Sequence, residues 1–297
     1  MNYYKEIKNE LINNEITKRV KDYSKNRSDL NTYYKVGKML SEAGNHYGEG
    51  IIKEYSKRLT NELRRSYSTR TLYNMRLYFE KFCSNSKLQP VAAILTWSHY
   101  CELLKFNDTK KIIYYIYLCK QQNLSKRELI IRIKNKEYER LPEETKVKLM
   151  SNEDFKVDDL IKNPIKIRNN SAHEIISEKV LQRLILEDIP SFLDELGTGF
   201  TFIRNEYKIK IGDSYNYIDL LLFNIEFNCY VVIELKITEL KKEHIGQIQV
   251  YMNYIDNNLK RINQDKTIGI IIVRKDNKFI MEYCSDKRIL SKEYELV

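Results

Sequence analysis

No stretch of this sequence approaches the roughly 18 apolar residues of a membrane-spanning helix, and its N-terminus lacks a signal-peptide core. A cytoplasmic protein with no membrane partner is therefore expected. Cysteine is scarce: Cys83, Cys101, Cys119, Cys229 and Cys284 are odd in number and widely spaced. Without a Cys-x-x-Cys pair or a histidine cluster, they exclude a disulfide framework and give no sign of zinc, which leaves reduced thiols. No internal repeat or low-complexity tract interrupts the chain, and no small-molecule cofactor is expected. Acidic residues are short in one half only. Residues 1–150 carry 30 Lys and Arg against 17 Asp and Glu, while the remaining 147 carry 21 against 24. All the excess positive charge thus lies in the first half, the pattern of a polyanion-binding domain joined to one with another task. The basic residues are interleaved with core-forming aromatics, which favours nucleic acid over a membrane surface as the partner.

What is present fits two domains of about 150 residues each. The first half reads as helices. Ile7, Leu11, Ile12, Ile16 and Val20 keep a helical period, and Tyr33, Val36, Gly37 and Leu40 resume it after a polar break at 24–29. Residues 44–50 read as a loop. A helix follows from Ile51, Ser68 is placed to cap the next, and Leu72, Met75, Phe79 and Phe82 form that helix's apolar stripe. Arg64 and Arg65 lie just before the turn, and Arg70, Tyr73, Asn74 and Arg76 lie off the stripe. These six are the candidate nucleic-acid contacts of a helix-turn-helix reader, although a solvated basic face would look the same. Trp97, in a helical block over 92–104, reads as core, and His99 as a hydrogen-bonded packing histidine. Residues 110–120 form an aromatic helix, and Ser125 caps another with Leu129, Ile130 and Ile133 inward. Residues 142–170 are polar, hold two of the four prolines and show little periodicity. The expected division is therefore 1–145 helical and basic, 146–172 linker, and 173–297 a second domain.

In that second domain Ser177 opens a helix that runs, with a kink at Pro190, to Leu196. Phe200–Ile211 alternates as a strand. Two apolar runs, 217–223 and 229–236, flank a five-residue turn and read as a hairpin. A helix over 241–259 and a buried strand over 267–273 complete the order α-β-β-β-α-β, a mixed sheet flanked by helices. Into the hairpin's apolar strands the sequence places Asp219, Glu234 and Lys236. Strand side chains alternate, so Glu234 and Lys236 share a face. If the pairing brings Asp219 to that face, two carboxylates and an ammonium converge. Buried charges need a partner or a metal, and paired carboxylates suit Mg²⁺ or Mn²⁺. A strand end carrying a plain Glu–Lys salt bridge is the structural alternative.

That order, with Asp219 on the second strand and Glu234-Leu-Lys236 on the third, resembles the PD-(D/E)XK nuclease superfamily. The segments 192–200, 218–223, 232–236 and 244–247 are similar to the nuclease domain of the bacterial YhcG-like family. Segments 71–76, 95–100 and 125–129 are similar to its N-terminal domain, so the resemblance spans nearly the whole chain. It implies a mainly helical, winged-helix-like DNA-binding domain before a restriction-endonuclease-like one, acting together as a divalent-metal-dependent DNA endonuclease. Roles in DNA processing, branched-DNA resolution or defence against foreign DNA are compatible with it. Carried over, Asp219 and Glu234 are metal ligands, Lys236 positions water and phosphate, and Gln247 stands beside the site, with Gly246 permitting close approach. Glu178 is the candidate first-helix acid and Glu187 its rival. Ile218 stands where the superfamily's name has proline, a common departure, and family members are expected to run beyond Val297. Cutting two strands implies a homodimer. The other readings are a nuclease fold that binds DNA without cutting and a nuclease directed at RNA, since phosphate attraction is common to both nucleic acids.

Overall fold

A computed structural model of the protein describes residues 3–20, 25–48, 50–83, 95–151, 154–169 and 177–297. It divides into two compact units, residues 1–138 and 139–297.

The first unit is helical: α1 (Tyr3–Val20), α2 (Lys25–Tyr47), α3 (Gly50–Leu63), α4 (Thr69–Cys83), α5 (Trp97–Leu103), α6 (Thr109–Gln122) and α7 (Lys126–Lys134). Helical spacing puts Ile7 and Leu11 of α1, Val36 and Leu40 of α2, Leu59 of α3, and Leu72 and Met75 of α4 into one core. Helices α2 and α4 cross at Gly37, where a Cβ would lie 2.1 Å from the Met75 carbonyl oxygen. Only glycine fits there. Ser68 Oγ accepts from the Thr71 amide at 3.1 Å and starts α4, and Ser125 with Glu128 closes a capping box on α7. Trp97 packs between Tyr33 and Tyr78, with ring centroids 4.7 and 5.5 Å away. His99 is buried, its ring nitrogens within 3.0 Å of the Thr96 amide and the Leu124 carbonyl, so it is a packing histidine.

Several expectations change here. Residues 25–29 are helical in place of a polar break, because α2 begins at Lys25. It continues through Gly44 to Tyr47, so of the expected loop only Gly48, with φ +78°, is non-helical among the described residues. Ile16 is exposed despite its period. Residues 92–94 of the expected block lie outside the described residues, and its helix begins at Trp97. Among the described residues of this unit there is no strand, so the winged-helix expectation has no β-wing here.

The second unit holds α8 (Glu143–Lys148), a 3₁₀ turn (Val157–Leu160), β1 (Ile165–Ile167), α9 (Glu178–Glu187), α10 (Ile189–Leu196) and β2 (Phe200–Ile211). There follow β3 (Ser214–Asn224), β4 (Cys229–Glu239), α11 (Lys242–Asn258), β5 (Asp265–Lys275), α12 (Lys278–Glu282) and β6 (Ile289–Leu296). The six strands lie in the order β1-β6-β5-β4-β3-β2. β2, β3 and β4 pair antiparallel, and β4, β5, β6 and β1 pair parallel. Leu220, Leu222, Val231 and Ile233 pack with α9 and α10 on one face, and Leu221, Val232, Ile271 and Val273 pack with α11 on the other. Burial on both faces explains why the central strands read as unbroken apolar runs.

The expected α-β-β-β-α-β order is present, with additions at one edge. The stretch 146–172, expected as a linker, supplies part of α8, the 3₁₀ turn and β1, and Val157, Ile161, Ile165 and Ile167 are buried in the sheet's core. Arg140 holds it to α10: its guanidinium pairs with both Glu195 carboxylate oxygens, and Glu195 also accepts from the Lys166 amide at 2.9 Å. Burial opposes the Glu195 charge, yet the Arg140 guanidinium, the Lys162 charge and the Lys166 amide together outweigh it and hold this carboxyl below the usual range. β6 is an addition that the sequence hides, because Ser291, Lys292 and Glu293 mask a strand set between two neighbours.

Candidate active site

The antiparallel pair β2–β3 turns over as it reaches Asp219. Leu220 and Leu222 pack with α9 and α10, whereas Ile218 packs with α11, although it has the same parity. On β2, between the partners of Leu220 and Ile218, Glu206 takes φ +46°, a left-handed conformation that turns the strand. The pairing of β3 with β4 begins at Leu220 and Ile233. Beside that end the Asp219 carboxylate accepts from the Leu235 amide at 2.7 Å. Gln182, from the second turn of α9, donates to the Asp219 carbonyl at 3.0 Å. Both hydrogen bonds fix the carboxylate where the strands part.

Glu234 is 2% exposed in the middle of β4. Its Oε1 accepts from Lys236 Nζ at 2.7 Å, while its Oε2 is buried with no hydrogen-bond partner. Burial, then the Asp219 charge, pushes the Glu234 carboxyl up to about 7 against the pull of Lys236. Asp219 is also raised, by burial first, with the Leu235 amide and Lys236 opposing and Glu178 and Glu206 adding to it. Burial pulls the Lys236 ammonium down, but the Glu234 hydrogen bond and the charges of Glu234, Glu178 and Asp219 outweigh this and leave it raised. The cluster therefore stores excess negative charge around one cation.

Glu178 Oε2 lies 3.7 Å from Lys236 Nζ, placed by the Ser177 cap that starts α9. Glu187, at the far end of α9, is exposed and forms no such contact among the described residues. Gln247 donates to the Tyr251 hydroxyl at 3.1 Å, and Tyr251 in turn feels the charges of Glu234, Asp219 and Lys236. Beyond the backbone of its own helix and its two chain neighbours, Gly246 has no atom of the described residues within 4 Å of where a Cβ would sit. It therefore serves no close contact with another backbone segment there. Sequence reading misses Gln182, Tyr251 and Glu206. The first two stand four residues beyond Glu178 and Gln247, a helical spacing that could have found them. Glu206 carries no signal, because its role follows from a backbone angle.

An unpartnered carboxylate oxygen held beside a second carboxylate is what a cation would complete. Among the described residues no three His, Cys, Asp or Glu side chains gather to hold a metal, so the protein offers no complete cage. Carboxylate oxygens are the donors that a hard divalent cation takes.

In the helical unit, Arg64, Arg65, Arg70 and Tyr73 are exposed around the α3–α4 turn. Arg65 pairs with Glu15, and both line a cavity of about 450 Å³ with Arg64. Asn74 and Arg76 are engaged within the unit instead: Asn74 reaches Cys101 Sγ at 3.7 Å and Arg76 pairs with Glu80 at 2.7 Å. No helix among the described residues is long and apolar enough to cross a membrane.

Residues 158–297 match the YhcG PDDEXK nuclease domain, and residues 8–140 match the DUF1016 N-terminal domain. The chain is 22% identical to "Putative nuclease YhcG" of Escherichia coli (strain K12), over 89% of this chain and 82% of that protein. Among solved structures, a repair endonuclease from Pyrococcus abyssi aligns with 41% of this chain at 18% identity and a TM-score of 0.30. An EndoMS–dsDNA2 complex aligns with 43% at 20% identity and a TM-score of 0.29. The chain spans about half the length of each of these structures. With both domain models matched in order along its length, the chain belongs to the YhcG-like family of PD-(D/E)XK nucleases.

Proposed function

We propose that this protein is a divalent-metal-dependent DNA endonuclease, with Asp219, Glu234 and Lys236 as its catalytic core. The observation that carries this reading is the buried, unpartnered Glu234 oxygen next to Asp219, with Lys236 alongside. A strand-end salt bridge would satisfy Glu234 with Lys236 alone and would not strand its second oxygen beside another carboxylate.

Asp219 and Glu234 would hold the ion, Mg²⁺ or Mn²⁺. Bound there, it supplies Lewis acidity toward phosphate oxygens and water. The protein's own groups do the rest. Lys236, protonated and anchored on Glu234, sets a fixed positive charge where a phosphate gains negative charge, and its other N–H bonds orient the attacking water. Glu178, beside Lys236, would accept a proton from that water, directly or through a second one. Gln247, whose amide donates to Tyr251, would stand beside this site through that tyrosine. The basic helical unit supplies phosphate affinity through Arg64, Arg65, Arg70 and Tyr73.

The test is cleavage of plasmid, linear and four-way-junction DNA, and of duplex RNA, with Mg²⁺, Mn²⁺ or EDTA, by wild type and Glu234→Ala. Metal-dependent DNA cleavage lost in the variant supports the reading. A clear preference for RNA would move the substrate, and DNA binding without cleavage by wild type would leave a non-cutting DNA-binding protein. Light scattering of the same samples measures whether it is the expected homodimer.

A further inference from the structure

The β2–β3 hairpin continues past Asp219, and its two faces differ. One face carries Tyr207, Ile209 and Ile218 and packs with α11. The other carries Lys208, Lys210, Tyr215 and Tyr217, all exposed, with Tyr215 and Tyr217 at 56% and 51%. Lys208 pairs across the strands with Tyr217, and Lys210 with Tyr215. The Lys208 ammonium also lies 3.8 Å from the Tyr215 ring centroid, a cation–π contact that orients the ring. At about 3.4 Å per residue, Tyr217 stands about 7 Å and Tyr215 about 14 Å along the strand from Asp219. The hairpin's acids, Glu206 near Asp219 and Asp213 at the turn, flank this row without interrupting it.

None of these two exposed tyrosines and two lysines belongs to either core of the sheet. We propose that this ribbon is the track by which the strand to be cut enters the site, its phosphates against Lys208 and Lys210 and an unpaired base stacked on Tyr217 or Tyr215. The inference rests on the nuclease reading above and names its substrate: nucleic acid with a single-stranded segment beside the scissile phosphate. Phosphates of any nucleic acid attract the lysines, but a base offers its face to a tyrosine only where it is unpaired. Lys208 lies against the Tyr215 ring, and the residue remains more than half exposed. A continuous duplex would use the lysines alone.

Two measurements on the full chain test it. Full-length Glu234→Gln is irradiated with forked oligonucleotides bearing 5-iododeoxyuridine in the unpaired arm, and the adducts are mapped by mass spectrometry. An adduct on Tyr215 or Tyr217 is expected. In parallel, the double variants Lys208→Ala/Lys210→Ala and Tyr215→Ala/Tyr217→Ala are compared with wild type on forked and fully duplex DNA. The tyrosine variant is expected to raise KM on the fork about 10-fold with little change in kcat, and to leave duplex cleavage unchanged. The lysine variant raises KM on both substrates. Cleavage by wild type with adducts elsewhere and unchanged KM in both variants overturns the track and leaves the nuclease reading standing. Adducts on the tyrosines without cleavage by wild type overturn the nuclease reading and keep the strand-binding face. Neither adducts nor cleavage overturns both.

Discussion

Replacing Glu234 by glutamine is expected to stabilise the metal-free protein while abolishing cleavage. Glu234 is ionised only at a cost, because it is buried beside Asp219 with one oxygen unpartnered. An ordinary glutamate titrates at 4.5 and this one at about 7, so the folded state holds the proton more tightly than the unfolded chain does. That contribution to stability is complete below the unfolded value and is lost as pH rises through about 7. At about 1.36 kcal/mol per pH unit, the loss is about 1 kcal/mol near pH 5.5 and about 3 kcal/mol near pH 8. Glutamine keeps the acceptor for Lys236 and carries no charge to lose. In EDTA, Glu234→Gln should therefore unfold about 6–12 °C above wild type near pH 8, at roughly 2–4 °C per kcal/mol, and the gap should shrink toward pH 5.5. Mg²⁺ at about 100 times its dissociation constant should return about 2.7 kcal/mol to wild type and nothing to the variant. Calorimetry across pH, with and without Mg²⁺, measures both. A variant no more stable than wild type near pH 8, or a gap that ignores pH, would refute the account of this site.

Further changes probe both units. Arg140→Ala leaves Glu195 buried without its guanidinium and should destabilise the nuclease unit by about 3–5 kcal/mol in urea unfolding. Gly37→Ala drives a methyl group into the Met75 carbonyl and should cost about 1–3 kcal/mol or more in the helical unit, measured by its thermal transition. Lys236→Met should lower cleavage at least about 100-fold with DNA binding retained, because the missing charge acts on the reacting phosphate. Removing Arg64, Arg65 or Arg70 should flatten the dependence of log affinity on log salt by about 0.9 for each phosphate no longer neutralised, whereas Arg76→Ala should cost stability and leave that slope unchanged.

The hairpin shows where reading the chain succeeds. Its central residues are buried on both faces, so apolar runs with turn residues between them place the turn ends of β3 and β4 to within one residue. The outer ends run three residues further than expected, and charges stranded in the runs stand out. Helix caps at Ser68, Ser125 and Ser177 are legible for a similar reason: each is a local contact within four residues. Contacts between distant segments are not. Three residues, Ile165 to Ile167, carry no period, and they become a strand only because β6 lies beside them and Arg140 meets Glu195. β6 itself is polar in sequence, and its place between β5 and β1 supplies the pairing that its composition does not advertise.

For the site, the sequence by itself determined which groups are present: Asp219, Glu234 and Lys236 at strand positions, with Glu178 and Gln247 on helices to either side. Tertiary structure alone decided which of them meet. The turning of β2–β3 at Glu206 and Asp219 brings one carboxylate beside the other, the Ser177 cap places Glu178 and not Glu187 against Lys236, and packing of the sheet leaves Glu234 Oε2 without a partner. The physical reason is that alternation and helical period are properties of neighbouring residues. Burial and electrostatic cost are set by segments that only the fold brings together.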